Sequence, residues 1–139
     1  MAKDVIHDAI KTALQNDGWS VTHDPLTIDL AEDDTYFDID LEAEKDIALF
    51  GRERFLAIEI KSFRQTSIIH AFHEALGQFL NYKAVIAEQN LDLDLYLAVS
   101  EEGWNRLNSL KFIQRRILQY GLQFLVVNIY TKSISQWIK

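Results

Sequence analysis

The chain contains no cysteine, a single proline (Pro25), and five glycines that never occur together. Without thiols, neither a disulfide framework nor a thiolate zinc site can be built, which fits a reducing cytosol. Isolated glycines leave no glycine-rich phosphate loop. No apolar run approaches the ~20 residues of a membrane-spanning helix, and the N-terminal segment lacks the apolar core of a signal peptide. The expectation from these features is a cytoplasmic chain that does not cross a membrane. A basic excess is missing as well, since the formal net charge is −7. Affinity for nucleic acid grows with the number of phosphates neutralised. A chain of this charge would bind DNA weakly on its own and would need a partner or a second copy to supply positive surface.

What is present is a chain of 139 residues with 48% hydrophobic content. That is enough for one domain, spanning 1–139, with a substantial core. The charges are segregated. Ten acids lie from Asp24 to Asp46, with Lys45 the only base among them. Such a run is either a solvated acidic edge or the surround of a metal. Bases gather at Arg52, Arg54, Lys61 and Arg64, and again at Lys111, Arg115 and Arg116.

Apolar spacing predicts a helix over 3–17, from Val5, Ile6, Ala9, Ile10, Ala13 and Leu14, with Gly18 as its left-handed cap. Short strands follow at 19–22 and 27–30, then a loop at 32–34 and an alternating strand at 35–40. Ser67 to Glu88 reads as the longest helix, with a stripe of Ile68, Ile69, Phe72, Leu76, Phe79, Leu80 and Ile86. A near-continuous apolar strand at 93–99 looks central. Ser100 suits a helix cap before Glu101 and Glu102. A helix near 110–119 closes at Gly121, and strands at 122–130 and 133–138 complete the chain. The pattern is α/β: a mixed β-sheet flanked by helices.

The segment from Glu44 to Lys61 carries the chemistry. It reads as a hairpin turning at Gly51-Arg52-Glu53, which sets Asp46 near Glu59 and Glu44 near Lys61. Strand alternation puts Glu44, Asp46 and Ala48 on one face with Ala57, Glu59 and Lys61. Ile47, Leu49, Ile58 and Ile60 form an apolar reverse face. Two carboxylates can hold magnesium, which accepts oxygen ligands and keeps several waters. Asp46 and Glu59 are the expected pair, with the Ile60 carbonyl as a third ligand. Lys61 points into the same site, where it could orient a water or stabilise a phosphoryl transition state. An ion-paired edge hairpin, with Lys61 bridging Glu44 and Glu59, is the alternative.

Asp46…Glu59-Ile60-Lys61 resembles the PD-(D/E)XK motif of the restriction-endonuclease-like superfamily, although Lys45 stands where the motif has proline. Gln78 and Tyr82, four residues apart on the long helix, resemble the Q-x-x-x-Y element of RecB-type nucleases. The resemblance implies a restriction-endonuclease-like core and a magnesium- or manganese-dependent nuclease site, with Gln78 in the catalytic group and Tyr82 touching substrate. Arg64 and His7 are further candidates for substrate contact.

The whole chain also resembles the fdxN element excision controlling factor, or XisH-like, family. The resemblance runs through His7-Asp8-Ala9, Gly18-Trp19, His23-Asp24-Pro25, Ile58 to Phe63, Ala75 to Gln78, Leu95 to Ala98 and Ser135 to Ile138. It implies an accessory role in programmed DNA excision in cyanobacteria, acting on DNA with an XisI-like partner protein. The family pattern stresses Asp40 and Glu44, so Glu44 ranks beside Asp46 as the first metal ligand. Asp40 is held in reserve, because the assumed turn sets it too far from Glu59. A catalytically silent module that binds a partner is the competing reading, and a homodimer is plausible. His70 and His73 with Glu74 do not share a face well enough for zinc. No Ser-His-Asp or Cys-His arrangement is present.

Overall fold

Helix α1 (Ala2–Asn16) forms because Ile6, Ile10, Ala13 and Leu14 return to one side each turn, and all four are buried. The chain leaves it through Gly18 at φ +92°, while the Trp19 N–H closes on the Leu14 carbonyl at 3.0 Å. In the computed structural model, residues 2–47 and 52–139 are described. The strands are β1 (Ser20–His23), β2 (Leu26–Leu30), β3 (Thr35–Ile39), β4 (Leu41–Ile47), β5 (Arg52–Ile60), β6 (Asp94–Ser100), β7 (Phe124–Asn128) and β8 (Ser133–Ile138). The other helices are α2 (Ile68–Glu88), α3 (Glu101–Asn108) and α4 (Lys111–Tyr120). Ala31–Asp33, overlapping the loop expected at 32–34, form one 3-10 turn between β2 and β3.

Six strands form one mixed sheet in the order β1-β4-β5-β6-β7-β8. The pairs β5–β6 and β6–β7 are parallel, and the rest are antiparallel. The sheet flanked by helices is as the sequence indicates. Alternation along the strands divides the core. Leu56, Ile58, Tyr96, Ala98, Leu125 and Val127 face α1. Ala57, Leu95, Leu97, Val99, Phe124 and Val126 face α2, α3 and α4. The strands at 26–30 and 35–39 are a separate antiparallel pair, which lays Leu26, Ile28 and Ile39 on the α2 side.

Two expectations are corrected here. The hairpin does not turn at Gly51-Arg52-Glu53. Gly51 lies outside the described residues, as do Ala48 and Leu49, while Arg52 and Glu53 are already in β5. The ladder pairs Leu41 with Ile58, Glu44 with Phe55 and Asp46 with Glu53. Its centre therefore lies three residues earlier than the proposed turn. The shift leaves the described residues on their expected faces but changes which residues are opposite. The second correction concerns α2. Its buried side is Ala71, Phe72, Ala75, Phe79, Tyr82, Val85 and Ile86, whereas Ile69 and Leu80 are each 38% exposed. The helix is rolled toward its alanines, which let it sit close to the sheet.

Candidate active site at the end of the central hairpin

Asp40 stands at a bend between β3 and β4, where the chain passes from the small sheet to the large one. Continuing the β4–β5 register by one pair brings it opposite Glu59. The two residues hold each other by backbone contacts. The Asp40 N–H donates to Glu59 Oε1 at 3.3 Å, and the Ile60 N–H donates to Asp40 Oδ2 at 2.8 Å. Lys61 Nζ lies 3.6 Å from Glu59 Oε2. Its backbone N–H is bonded to the Ala98 carbonyl at 2.9 Å, so the lysine leaves the sheet from a fixed point. These groups lie in a cleft of about 420 Å³ between the start of α1 and the middle of α2. Gln78 and Glu74 come from α2, and His7 comes from α1.

The electrostatics are those of two acids confined together. Burial first, and then the like charge of Asp40, raise the Glu59 carboxyl from 4.5 to about 7, with Lys61 pulling the other way. Among the described residues, no cluster of three or more His, Asp or Glu is arranged to hold a metal. Two carboxylates with waters are nevertheless the customary protein contribution to a magnesium site. The donor set suits that ion. It consists of hard oxygens, and Asp40 Oδ1 accepts no hydrogen bond among the described residues. The Gln78 Oε1 atom is buried in the same cleft without a partner. An orphaned buried acceptor is costly unless something in the cleft donates to it, as a metal-bound water would.

The structure brings together Glu59, Lys61, Gln78, Arg64 and His7 from the sequence-based candidates. Arg64 lies on the rim, 3.6 Å from Glu102. His7 lines the cleft, but its Nε2 is 2.9 Å from Asp24 Oδ1, and Lys11 Nζ donates to the other Asp24 oxygen at 2.9 Å. Burial pushes the Asp24 carboxyl up, but Lys11 and His7 outweigh it and hold the group below its usual value.

Three candidates fall elsewhere. Asp46 is exposed beside Glu53, six residues along the strand from Asp40, about 20 Å at ~3.3 Å per residue. Glu44 is opposite Phe55, about 13 Å from Asp40 by the same rise. Neither reaches Glu59, and the acid that stands beside Glu59 is Asp40. Tyr82 is also displaced from the cleft. It is 7% exposed, packs edge-on against Phe37 at 5.4 Å, and places its hydroxyl 3.4 Å from the Asp38 carbonyl. Burial, with the nearby charges of Glu59, Asp40 and Asp38, pushes its pKa up to about 12. Tyr82 pins the small sheet to α2.

The family described as XisH protein matches residues 1–135. The chain belongs to the XisH family. Two solved structures agree with this assignment. One is an XisH family protein from Nostoc punctiforme, 34% identical, covering 98% of this chain and 100% of its own, with a TM-score of 0.83. The other is a fdxN element excision controlling factor protein from Anabaena variabilis. It is 37% identical, covers 98% of this chain and 99% of its own, and has a TM-score of 0.84. No curated protein matches the chain.

Within this XisH chain, two contributors to the cleft escaped the sequence reading. Arg106 on α3 donates to the carbonyls of Phe63 at 2.8 Å and Thr66 at 3.0 Å, and also to that of Gln65. It thereby fixes the loop that follows Lys61. Phe63 is held at φ +51°, a left-handed conformation that costs a non-glycine residue ~1 kcal/mol, and its buried ring stabilises it there. Gly103 lets α3 approach that loop, because a Cβ there would stand 2.9 Å from the Ser62 carbonyl. A helix-borne arginine and glycine more than forty residues from the motif carry no local sequence signal.

Proposed function

We propose that this chain acts on DNA in the control of genetic-element excision, as an accessory phosphodiesterase with its site at Asp40, Glu59 and Lys61. The observation that carries this reading is the meeting of the Asp40 and Glu59 carboxylates at the sheet's end with Lys61 alongside, inside a cleft open to solvent. A purely structural acid pair would not need to be held at a raised pKa in an accessible cleft. The kinship supplies the biological setting, since one related structure is an excision controlling factor protein.

Asp40 and Glu59 would hold magnesium or manganese. When bound, the ion supplies positive charge for the phosphate and lowers the pKa of a water. Lys61 is poised to neutralise charge gathering on the phosphate oxygens. Gln78, with its unpaired carbonyl oxygen, is placed to orient a water by accepting a hydrogen bond from it. Arg64 at the rim is available to a neighbouring phosphate.

One observation favours a second reading, a regulatory module that docks a partner protein. The net charge of −7 opposes unaided DNA binding. In both readings a partner, or a second copy, supplies the positive surface.

The test is cleavage of supercoiled plasmid and linear DNA with magnesium or manganese, by the wild type and by Lys61→Ala and Asp40→Asn. Metal-dependent cutting that both substitutions abolish supports the nuclease. Folded wild-type protein that fails to cut, alone and with its partner, overturns the nuclease and leaves the module.

A further inference from the structure

A second concave site lies at the other end of β5, on the α1 side of the sheet, and its chemistry is the reverse of the cleft's. It encloses about 390 Å³, which suits a small ligand. Its base is aromatic. Trp137 from β8 packs against Tyr96 at 5.1 Å, edge to face, and against Trp19 at 6.0 Å. Trp19 is buried behind this pair, and the Lys45 ammonium lies 5.5 Å from its ring centre. The only acid lining the pocket among the described residues is Asp17, against the cations Lys45, Arg54 and Lys139. In a chain of net charge −7, this local inversion marks a place for an anion.

The decisive atom is the Tyr96 hydroxyl. The side chain is 0% exposed and lines the pocket, yet the hydroxyl is buried without a hydrogen-bond partner. A buried hydroxyl with no well-aligned partner is costly, a cost that a phenylalanine would avoid. The Arg54 guanidinium sits beside this hydroxyl as a nearby donor without a well-aligned hydrogen bond to it, while its Nη2 donates to Asp94 Oδ2 at 3.2 Å. Lys45 is likewise committed, to the Asp17 carbonyl at 2.7 Å. Lys139 makes no ion pair among the described residues.

We infer that this pocket binds a single nucleotide unit: a planar heterocycle against Trp137, its polar edge at Tyr96, and its phosphate among Lys45, Arg54 and Lys139. A flat π-face suits any base, and cations at the rim suit its phosphate. The long Arg54 side chain, 37% exposed, turns from Asp94 toward the phosphate and uncovers the Tyr96 hydroxyl. The inference does not depend on catalysis in the cleft.

The test is titration of the intact chain with dTMP, dAMP, thymidine, inorganic phosphate and a short oligothymidylate, observing the three tryptophan indole N–H signals by NMR. The expected result is that nucleotides shift Trp19 and Trp137 and leave Trp104 unmoved, since Trp104 packs on Phe124 on the other face of the sheet. Thymidine should bind about tenfold more weakly than dTMP. Tyr96→Phe should weaken dTMP about fivefold, the value of one hydrogen bond, without lowering the melting temperature. Lys45→Gln should weaken it similarly and serves as a second variant. Tighter binding of the oligonucleotide identifies the ligand as part of a strand, and equal or weaker binding identifies a free nucleotide. No shift at millimolar nucleotide overturns the inference. So do equal shifts from phosphate alone, undiminished binding by Tyr96→Phe, or tighter binding of an acidic aromatic peptide, which would make the pocket a protein-docking site.

Discussion

At the C-terminal end of β5, Asp40 and Glu59 confine two carboxylates together. At its N-terminal end, about 17 Å away at ~3.3 Å per residue, Arg54 and Lys45 border an aromatic pocket. The two sites share a strand but lie on opposite faces of the sheet. Glu59 and Lys61 follow the alternation of Ala57 toward α2, whereas Arg54 follows that of Leu56 and Ile58 toward α1. Both contain a buried oxygen without a partner, Gln78 Oε1 in one and the Tyr96 hydroxyl in the other. The acidic end is suited to attract a cation and the basic end an anion. The comparison shows that one strand of an acidic chain can carry two concave sites of opposite charge preference.

Exchanging the acids would break this comparison most sharply. Asp40→Asn is expected to reduce metal-dependent cleavage by about 100-fold or more, as loss of a major electrostatic group does. Asp46→Asn should leave it unchanged, and plasmid nicking assays would check both. If Asp46→Asn proves the damaging change, the register assignment is wrong.

Removing Arg106 is the next largest effect. Arg106→Ala deletes bonds to three carbonyls of the loop after Lys61 and should destabilise the fold by about 2–3 kcal/mol in urea denaturation. Arg106→Lys keeps the charge but loses the fork that reaches three acceptors, and should recover less than half of this.

Acidity separates the two ends further. The folded-state pKa of Glu59, about 7, lies above its ordinary value of 4.5. The folded state therefore binds more protons than the unfolded state between these values, and stability falls as pH rises through that window. The loss should be on the order of 1–3 kcal/mol and should disappear in Glu59→Gln. Magnesium favours the ionised form, so the rise in melting temperature it produces should grow from pH 5 to pH 8. A magnesium response that is independent of pH, or that survives in Glu59→Gln, would place the ion elsewhere.

The smallest expected effect is at the basic end. Tyr96→Phe should leave the stability of the free chain unchanged or raise it by up to about 1 kcal/mol, because it removes an unpaired buried hydroxyl. Thermal melts would detect it, and a clear destabilisation would mean that Arg54 satisfies the hydroxyl in solution.

Much of this was legible in the residues. Glu59 lies on the expected face of the expected strand, and Lys61 continues that alternation one residue past its end, because polar and apolar positions alternate with a period of two and the apolar set must be buried. Gln78 falls in the cleft because α2 follows directly from the loop after Lys61. The first acid was misplaced for a definite reason. A hydrophobic pattern specifies which face a residue takes, and a slip of one residue would invert it. Moving the hairpin centre by three residues shifts each pairing by an even number and leaves the faces intact. The pattern was therefore equally compatible with Asp46 or Asp40 opposite Glu59. Tyr82 was misassigned because the roll of α2 depends on how closely Ala71 and Ala75 approach the sheet.

Composition and periodicity alone determined the class of fold, the order of its elements and the two faces of the hairpin, because burial of apolar side chains imposes those periods wherever it occurs. The tertiary structure alone decided that Asp40 closes on Glu59, that Arg106 and Gly103 hold the loop between them, and that Trp19, Tyr96 and Trp137 meet around a basic pocket. Those juxtapositions join residues far apart in the chain, and their geometry comes from strand register and helix packing, which no local pattern encodes.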